Sequence, residues 1–370
     1  MSRAVTVAAA LIVKNEERFL PGCLASLRGR VDEVVLVDTG SQDASPRIAA
    51  EFGAHVVNRA WTGDFSHARN AGLDAVGSDW VLYIDADERL GLPEGGVVAD
   101  YIAPAALAQF VRFRPKTGYT RYREARLFRS DPRLRFAGQI HETMTPVLRD
   151  VSAREGLPIL ASRVEIDHLG YEGDQTAKHA RNLPLLQRAT QEAPGRVYYW
   201  HHLGETLAAL GRPAEALAVC ARGLAAAESD ADEKQRADAS MISQTMARLL
   251  REQGQDPLAV IERGLERYPS DHGLRFLRAR TSLDAGRPSS ALADAESLRT
   301  IDPDDLDGGL LAFEKAIFRE KACELAALAC LQLGRREAAG DWFAEAARLA
   351  PDSSHYRLKA AALGRGDEPR

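Results

Sequence analysis

The sequence predicts an α/β domain followed by an all-α repeat array, and three observations lead there. Short apolar runs alternate with stretches of helical period up to about residue 90. Beyond Tyr171 the strand signal disappears and Ala, Leu, Glu and Arg dominate. A glycine followed five residues later by an alanine then recurs, at Gly211/Ala216, Gly254/Ala259, Gly286/Ala291 and Gly334/Ala339. Strands alternating with helices predict a largely parallel sheet with helices on both faces. A repeated helix pair stacks into a curved solenoid. The expected boundaries are 1–173 for the α/β domain, 174–194 for a connecting helix, 195–363 for the repeats and 364–370 for a short polar tail.

The elements follow in order. Ala4 to Val13 is an apolar run that reads as a first buried strand. It sits behind Arg3 but runs into Lys14-Asn15-Glu16-Glu17 with no cleavage region, which argues against a signal peptide. Glu17 to Leu27 places Phe19, Leu20, Cys23, Leu24 and Leu27 at helical spacing. Val34 to Val37 is a second strand, and Asp43 to Phe52 a helix closed by Gly53. Ala54 to Val57 is a third strand, and Ser66 is placed to cap a helix through Val76. The run Trp80 to Ile84 is a fourth strand. Phe110 to Phe136 mixes eight arginines with partly alternating aromatics, which suits hairpin strands with solvated faces. Gln175 to Glu192 reads as a helix interrupted by Pro184.

Composition narrows the function classes. The 370 residues are 45% apolar and 27% charged with a net charge of −5, an ordinary soluble balance without general attraction to nucleic acid or anionic membrane. No segment is long and apolar enough to span a bilayer. The four cysteines lack metal-binding spacing and read as buried thiols in a reducing cytoplasm.

The chemistry concentrates where strands end. The fourth strand runs into Asp85-Ala86-Asp87, and residues two apart in a strand point to the same side. Paired hard oxygens suit Mg2+ or Mn2+, which bridges to phosphates. The second strand also ends in an acid, Asp38. Two acidic loops at strand ends define a nucleotide-phosphate crevice. Neither a dinucleotide glycine fingerprint nor a P-loop is present, and a nucleotidyltransferase's glycine-rich basic loop is missing after the first strand.

Four segments carry a family resemblance: L-I-V-K-N-E-E at 11–17, V-V-L-V-D-T-G-S at 34–41, D-F-S-H-A-R-N-A-G-L at 64–73 and D-W-V-L-Y-I-D-A-D-E at 79–88. They resemble glycosyltransferase family 2, which implies a GT-A fold and transfer from a nucleotide sugar. The resemblance implies that Asp38 binds the base and that the turn from Val13 to Glu17 lies under the nucleoside, with Asn15 and Glu17 as contacts. It implies that Arg69 faces the phosphates, Asp85 approaches ribose and metal, and Asp87 ligates the metal. Asn70 reads as a structural helix residue.

Two later segments, F-A-G-Q-I-H-E at 136–142 and D-H-L-G-Y at 167–171, resemble a subgroup of the family fused to helical repeats. Glu142 is the first candidate for the general base of an inverting transfer, with His141 second. His168 is a candidate third metal ligand. Lys178 and Arg181 share a helix face and are candidates to fold over the diphosphate. Trp200, Leu203, Gly204, Leu207, Gly211 and Ala216 fit the tetratricopeptide pattern, with extra residues around 225–240 and 304–320. The expectation is an inverting glycosyltransferase with a UDP-linked donor and a divalent cation, whose repeats orient a peptide or protein acceptor or make a homodimer. The alternative is a scaffold that binds a sugar nucleotide without transferring it.

Overall fold

The computed structural model describes residues 4–169, 175–227, 233–306 and 308–364. Gly170 and Tyr171 of the second histidine segment, and the tail beyond Gly364, lie outside them. The chain divides into two units. The first comprises Met1–Thr117, Arg121–Asp174 and Asp307–Ala312, and the second Gly118–Thr120, Gln175–Leu306 and Phe313–Arg370.

The first unit is built around β1 (Val7–Val13), whose residues are buried almost throughout, as a strand covered on both faces requires. β2 (Glu33–Asp38) and β4 (Trp80–Tyr83) pair with it in parallel on its two sides. With β3 (His55–Asn58), β5 (Glu88–Gly91), β6 (Ala108–Arg114), β7 (Tyr122–Arg129) and β8 (Ile159–His168), the sheet order is β3-β2-β1-β4-β7-β6-β8-β5. The sheet is mixed rather than largely parallel. β7 runs antiparallel to β4 and β6, and β5 antiparallel to β8. One of these reversals has a local cause: only a short segment joins β6 to β7, too short for the crossover helix that parallel neighbours need.

Helices cover both faces, as expected. α1 (Leu20–Leu27) buries Leu20, Cys23, Leu24 and Leu27 against Val7, Ala9, Leu11 and Val13 on one side. On the other side, α3 (Phe65–Ala75) and α4 (Thr145–Glu155) bury Leu73, Leu148 and Val151 against Ala10 and Val81. α2 (Ser45–Glu51) follows β2. The cap of α3 is Asp64, whose carboxylate accepts the His67 N–H at 3.1 Å, and Ser66 lies inside the helix. The aspartate displaces the expected serine because its side chain reaches the first free amides from one residue outside the helix.

The second unit is helical. α5 (Thr176–Glu192) continues through Pro184 instead of breaking there. Helix pairs then follow: α6 (Val197–Ala209) with α7 (Pro213–Ala226), α8 (Glu233–Glu252) with α9 (Leu258–Arg267), α10 (His272–Asp284) with α11 (Pro288–Arg299), and α12 (Glu320–Gln332) with α13 (Arg336–Leu349), before α14 (Ser354–Ala362). Gly211, Gly254, Gly286 and Gly334 end the first helix of each pair in the left-handed region, φ between 69° and 72°. Ala216, Ala291 and Ala339 are buried as the pattern requires, but Ala259 is exposed. α9 starts four residues after Gly254, against two for α7, α11 and α13, so Ile261 becomes the buried residue there. Within the expected insertion at 304–320, the stretch 307–312 belongs to the first unit, where the Arg123 N–H donates to the Gly309 carbonyl at 3.0 Å.

Two predictions arise from this packing. A methyl group on Gly223 of α7 would fall 2.5 Å from Cβ of Trp200 and 2.7 Å from Cδ1 of Ile242. Gly223→Ala should therefore destabilise the second unit by about 1–3 kcal/mol, an overpacking effect measurable by denaturant titration. Burial lowers the pKa of His201 to about 4, although Glu205 pulls the other way. The unfolded chain then takes up a proton that folded His201 refuses, so stability is lost as pH falls below the ordinary histidine range. Denaturation at pH 7 and pH 5 should show a loss of about 2 kcal/mol from this group. His201→Asn should flatten that slope.

Candidate active site

Because β1, β2 and β4 are parallel neighbours, their carboxyl ends open at one edge of the sheet. The strand order reverses direction at β1, between β2 and β4, the switch point at which open α/β sheets bind ligands. Val13 and Asn15 leave β1 there, Asp38 ends β2, and Asp85 and Asp87 follow β4.

The turn after β1 and the loop after β2 are laced together. The Val13 carbonyl accepts the Thr39 N–H at 2.9 Å and its hydroxyl at 3.0 Å. Asn15 accepts the Gln42 N–H through Oδ1 at 2.8 Å, and Glu17 accepts the Ala44 N–H through Oε2 at 3.0 Å. Asp38 is buried and accepts the Gly40 and Ser41 amides at 3.2–3.3 Å. The expected nucleoside contacts Asn15 and Glu17 thus hold the 39–45 loop in shape. Among the described residues, only Asn15 and His141 combine a side chain with positive φ, 58° and 50°. Both fall on segments singled out from the sequence, in keeping with the tendency of backbone strain to gather at functional sites.

Arg69 on α3 was expected to face phosphates. It is instead nearly buried and bridges two of the candidate acids, donating through Nη2 to Asp85 Oδ1 at 2.9 Å and through Nε to Glu142 Oε1. Its guanidinium lies over the rings of Tyr83 at 4.8 Å and Phe136 at 5.5 Å. Asn70 pins the segment leading to His141 and Glu142, exchanging two hydrogen bonds with the Phe136 backbone. That is the structural role expected of it.

Asp87 meets His168 at the end of β8, Oδ2 to Nε2 at 3.0 Å. The other ring nitrogen, Nδ1, lies 3.1 Å from the Pro115 carbonyl. Both nitrogens therefore face acceptors, while a neutral imidazole carries a single N–H. The Nε2–Asp87 contact calls for a positive charge, supplied either by a second ring proton or by a metal ion. Burial pushes the His168 pKa down, but the Asp87 carboxylate outweighs it and holds it above the usual value. The donor set also fits a hard cation, because a histidine fixed by a backbone carbonyl is the usual support of a metal ligand. Among the described residues no three His, Cys, Asp or Glu side chains stand where they could together hold a metal ion. Substrate oxygens would complete the shell.

Sequence reasoning missed a buried layer beneath these groups. Glu88, 1% exposed, receives both terminal nitrogens of Arg126 at 3.2 Å, and Arg126 also reaches Glu124 at 3.2 Å. Burial pushes the Glu88 carboxyl up to about 7 despite Arg126. Asp85 is held low: burial opposes ionisation there, but Arg69 and Arg126 overcome it. Arg126 corrects the expectation that the arginine-rich strands carry solvated faces. Arg112 and Arg114 of β6, and Arg121 just before β7, are likewise paired with Glu165 and Asp167 of β8. Around Tyr83, two guanidinium groups meet four carboxylates, Asp85, Glu88, Glu124 and Glu142. This excess of negative charge favours a cation at the crevice. Lys178 and Arg181 lie exposed on α5, in the other unit.

The sheet, the switch-point acids and the covering helices define the first unit as a GT-A-type domain, and the second unit as a helical-repeat array. Residues 9–147 match the model of Glycosyl transferase family 2, and residues 320–353 that of the tetratricopeptide repeat. The chain thus carries a glycosyl transferase family 2 domain over residues 9–147 and a tetratricopeptide repeat over residues 320–353.

A TPR repeat-containing protein of Synechococcus elongatus is 40% identical over 191 residues, 50% of this chain and 45% of that protein. The glycosyltransferase SunS of Bacillus subtilis is 24% identical over 225 residues, 57% of this chain and 51% of that one. The chain thus spans about half the length of these curated relatives. Among solved structures, the glucosyl-3-phosphoglycerate synthase of Mycobacterium tuberculosis is 15% identical with a TM-score of 0.37, covering 50% of this chain and 80% of its own. The TPR protein YrrB is 16% identical with a TM-score of 0.38, covering 51% and 84%.

Proposed function

We propose that the protein is an inverting glycosyltransferase that moves a sugar from a UDP-linked donor to a peptide or protein acceptor. The observation that carries this reading is that Asp38 ends β2 and Asp85 and Asp87 follow β4, the two strands flanking β1, within residues that match glycosyl transferase family 2. Relatives named as glycosyltransferases support sugar transfer in general.

Asp38 and the 13–17 turn would seat the nucleoside, and Asp85 the ribose. Asp87, Asp85 and His168 would hold Mn2+ or Mg2+; when bound, the cation would neutralise charge on the departing diphosphate. The acceptor oxygen or sulfur attacks the anomeric carbon from the face opposite the diphosphate. The bond from that carbon to the diphosphate oxygen breaks, and its electron pair leaves with the nucleotide. Glu142 takes the acceptor proton through Oε2 while Arg69 fixes Oε1, with His141 as the second candidate. Lys178 and Arg181 are proposed to close over the diphosphate.

The repeats are proposed to hold the acceptor or a second copy of the chain, the usual work of such arrays. No described helix is long and apolar enough to cross a membrane. The four cysteines are free and buried, which suits a reducing cytoplasm.

A screen of UDP-linked sugars against candidate acceptors, read by mass spectrometry with Asp87→Ala as control, tests the reading. It should use the full chain, because removing residues beyond 195 would also remove 307–312 from the first unit. Transfer lost in the control supports the proposal. UDP–Mn2+ binding without turnover of any donor would favour a non-catalytic scaffold.

A further inference from the structure

Beneath the two aspartates of the D-A-D loop lies a buried ion pair that the proposed chemistry does not use. The Glu88 N–H donates to the Asp85 carbonyl at 3.0 Å, closing the loop as a turn. The Glu88 carboxylate reaches back into that turn, and its Oε2 accepts the Asp85 N–H at 2.8 Å. The same carboxylate is gripped from the other side by both terminal nitrogens of Arg126. Arg126 is in turn held between the rings of Tyr83, 4.3 Å away, and Phe113, 4.8 Å away. Its Nε is buried with no hydrogen-bond partner.

Such a pair is a poor way to gain stability, since desolvation offsets most of the attraction and well-packed apolar residues often serve as well. An unsatisfied guanidinium nitrogen sharpens the point, because each buried unpaired donor is unfavourable. What this pair does that an apolar pair could not is accept the Asp85 amide. We infer that Glu88 and Arg126 are positioning residues, which fix the backbone of Asp85 and so the direction in which its carboxylate meets the donor. The ring stack fixes Arg126, Arg126 fixes Glu88, and Glu88 fixes the turn. Phe113, on β6, faces His168 at a ring separation of 6.3 Å, so one stack of side chains supports both ends of the proposed cation site.

This inference rests on reading the crevice as a nucleoside-diphosphate site, and the experiment separates the two. Glu88→Leu and the double variant Glu88→Leu/Arg126→Met are compared with wild type in the full chain. Thermal melting is followed alongside calorimetric titration with UDP, in Mn2+ and in EDTA. The single variant strands Arg126 and should melt earlier. The double variant removes both charges and should regain most of the melting temperature, yet bind UDP in Mn2+ at least tenfold more weakly than wild type. Its UDP binding in EDTA, where only the ribose contact of Asp85 is affected, should weaken by a smaller factor.

Wild-type UDP–Mn2+ binding by the folded double variant would overturn the inference, since a purely structural pair would be fully replaced. Should the double variant not fold, Glu88→Gln carries the test at native volume. The amide oxygen can still accept the Asp85 N–H, but the NH2 group that replaces the other carboxylate oxygen faces an Arg126 nitrogen donor to donor, which forces the pair apart and shifts the turn. Mn2+-dependent binding should therefore weaken severalfold, and unchanged binding would again overturn the inference. Absence of Mn2+-dependent UDP binding in wild type would instead overturn the reading of the crevice.

Discussion

Asp87→Ala is expected to lower Mn2+-dependent sugar transfer about a thousandfold, an effect of about 4 kcal/mol on the barrier. Asp87 is partly exposed at the mouth of the crevice and packs against His168, so its removal should hardly disturb the sheet. The loss should appear in kcat at saturating Mn2+, with the melting of the first unit close to wild type. Asp87 is the acid proposed to touch the cation with a free hand, since Asp85 is already engaged by Arg69. A variant with full metal-dependent turnover would remove the basis for assigning the D-A-D loop to the donor.

Glu88→Ala should have the largest effect on stability, about 3–5 kcal/mol in the first unit, because it takes from the buried Arg126 its two-pronged partner and leaves Glu124 as the remaining direct ion pair. Denaturant titration followed by a probe in the first unit reads this directly. An exposed pair such as Arg47–Glu51 on α2 supplies the contrast. Breaking it should change stability by well under 1 kcal/mol, since solvent screens the charges and the side chains lose entropy in pairing.

These two residues show what the sequence made legible. Asp87 was readable because a strand signal ended in a repeated acid, and the periodicity of β1, β2 and β4 placed that end beside Asp38. The same periodic signals located the helices covering the sheet and the glycine caps of the repeats. Glu88 was not readable. It follows Asp87 directly and looks like one more solvated acid, and its burial depends on Arg126, 38 residues away. Composition alone cannot separate a buried arginine stacked between rings from an exposed one, so the stretch from Phe110 to Phe136 reads as solvated from sequence.

The mixed sheet was missed for a related reason. Strand direction beyond β4 depends on long-range pairing, with β8 inserting between β6 and β5. The Arg69–Glu142 bridge was likewise beyond local reasoning, since it joins residues 73 apart. Both were individually named as site residues, but their partnership changes the role of each: Arg69 orients two acids instead of standing open to phosphate.

The crevice is proposed to hold a nucleoside diphosphate together with a divalent cation. Calorimetric titration of the full chain with UDP, in Mn2+ and then in EDTA, tests it most directly. The account predicts saturable binding in Mn2+ that weakens at least tenfold in EDTA. Equal affinity with and without the metal, or no binding in either, would contradict it.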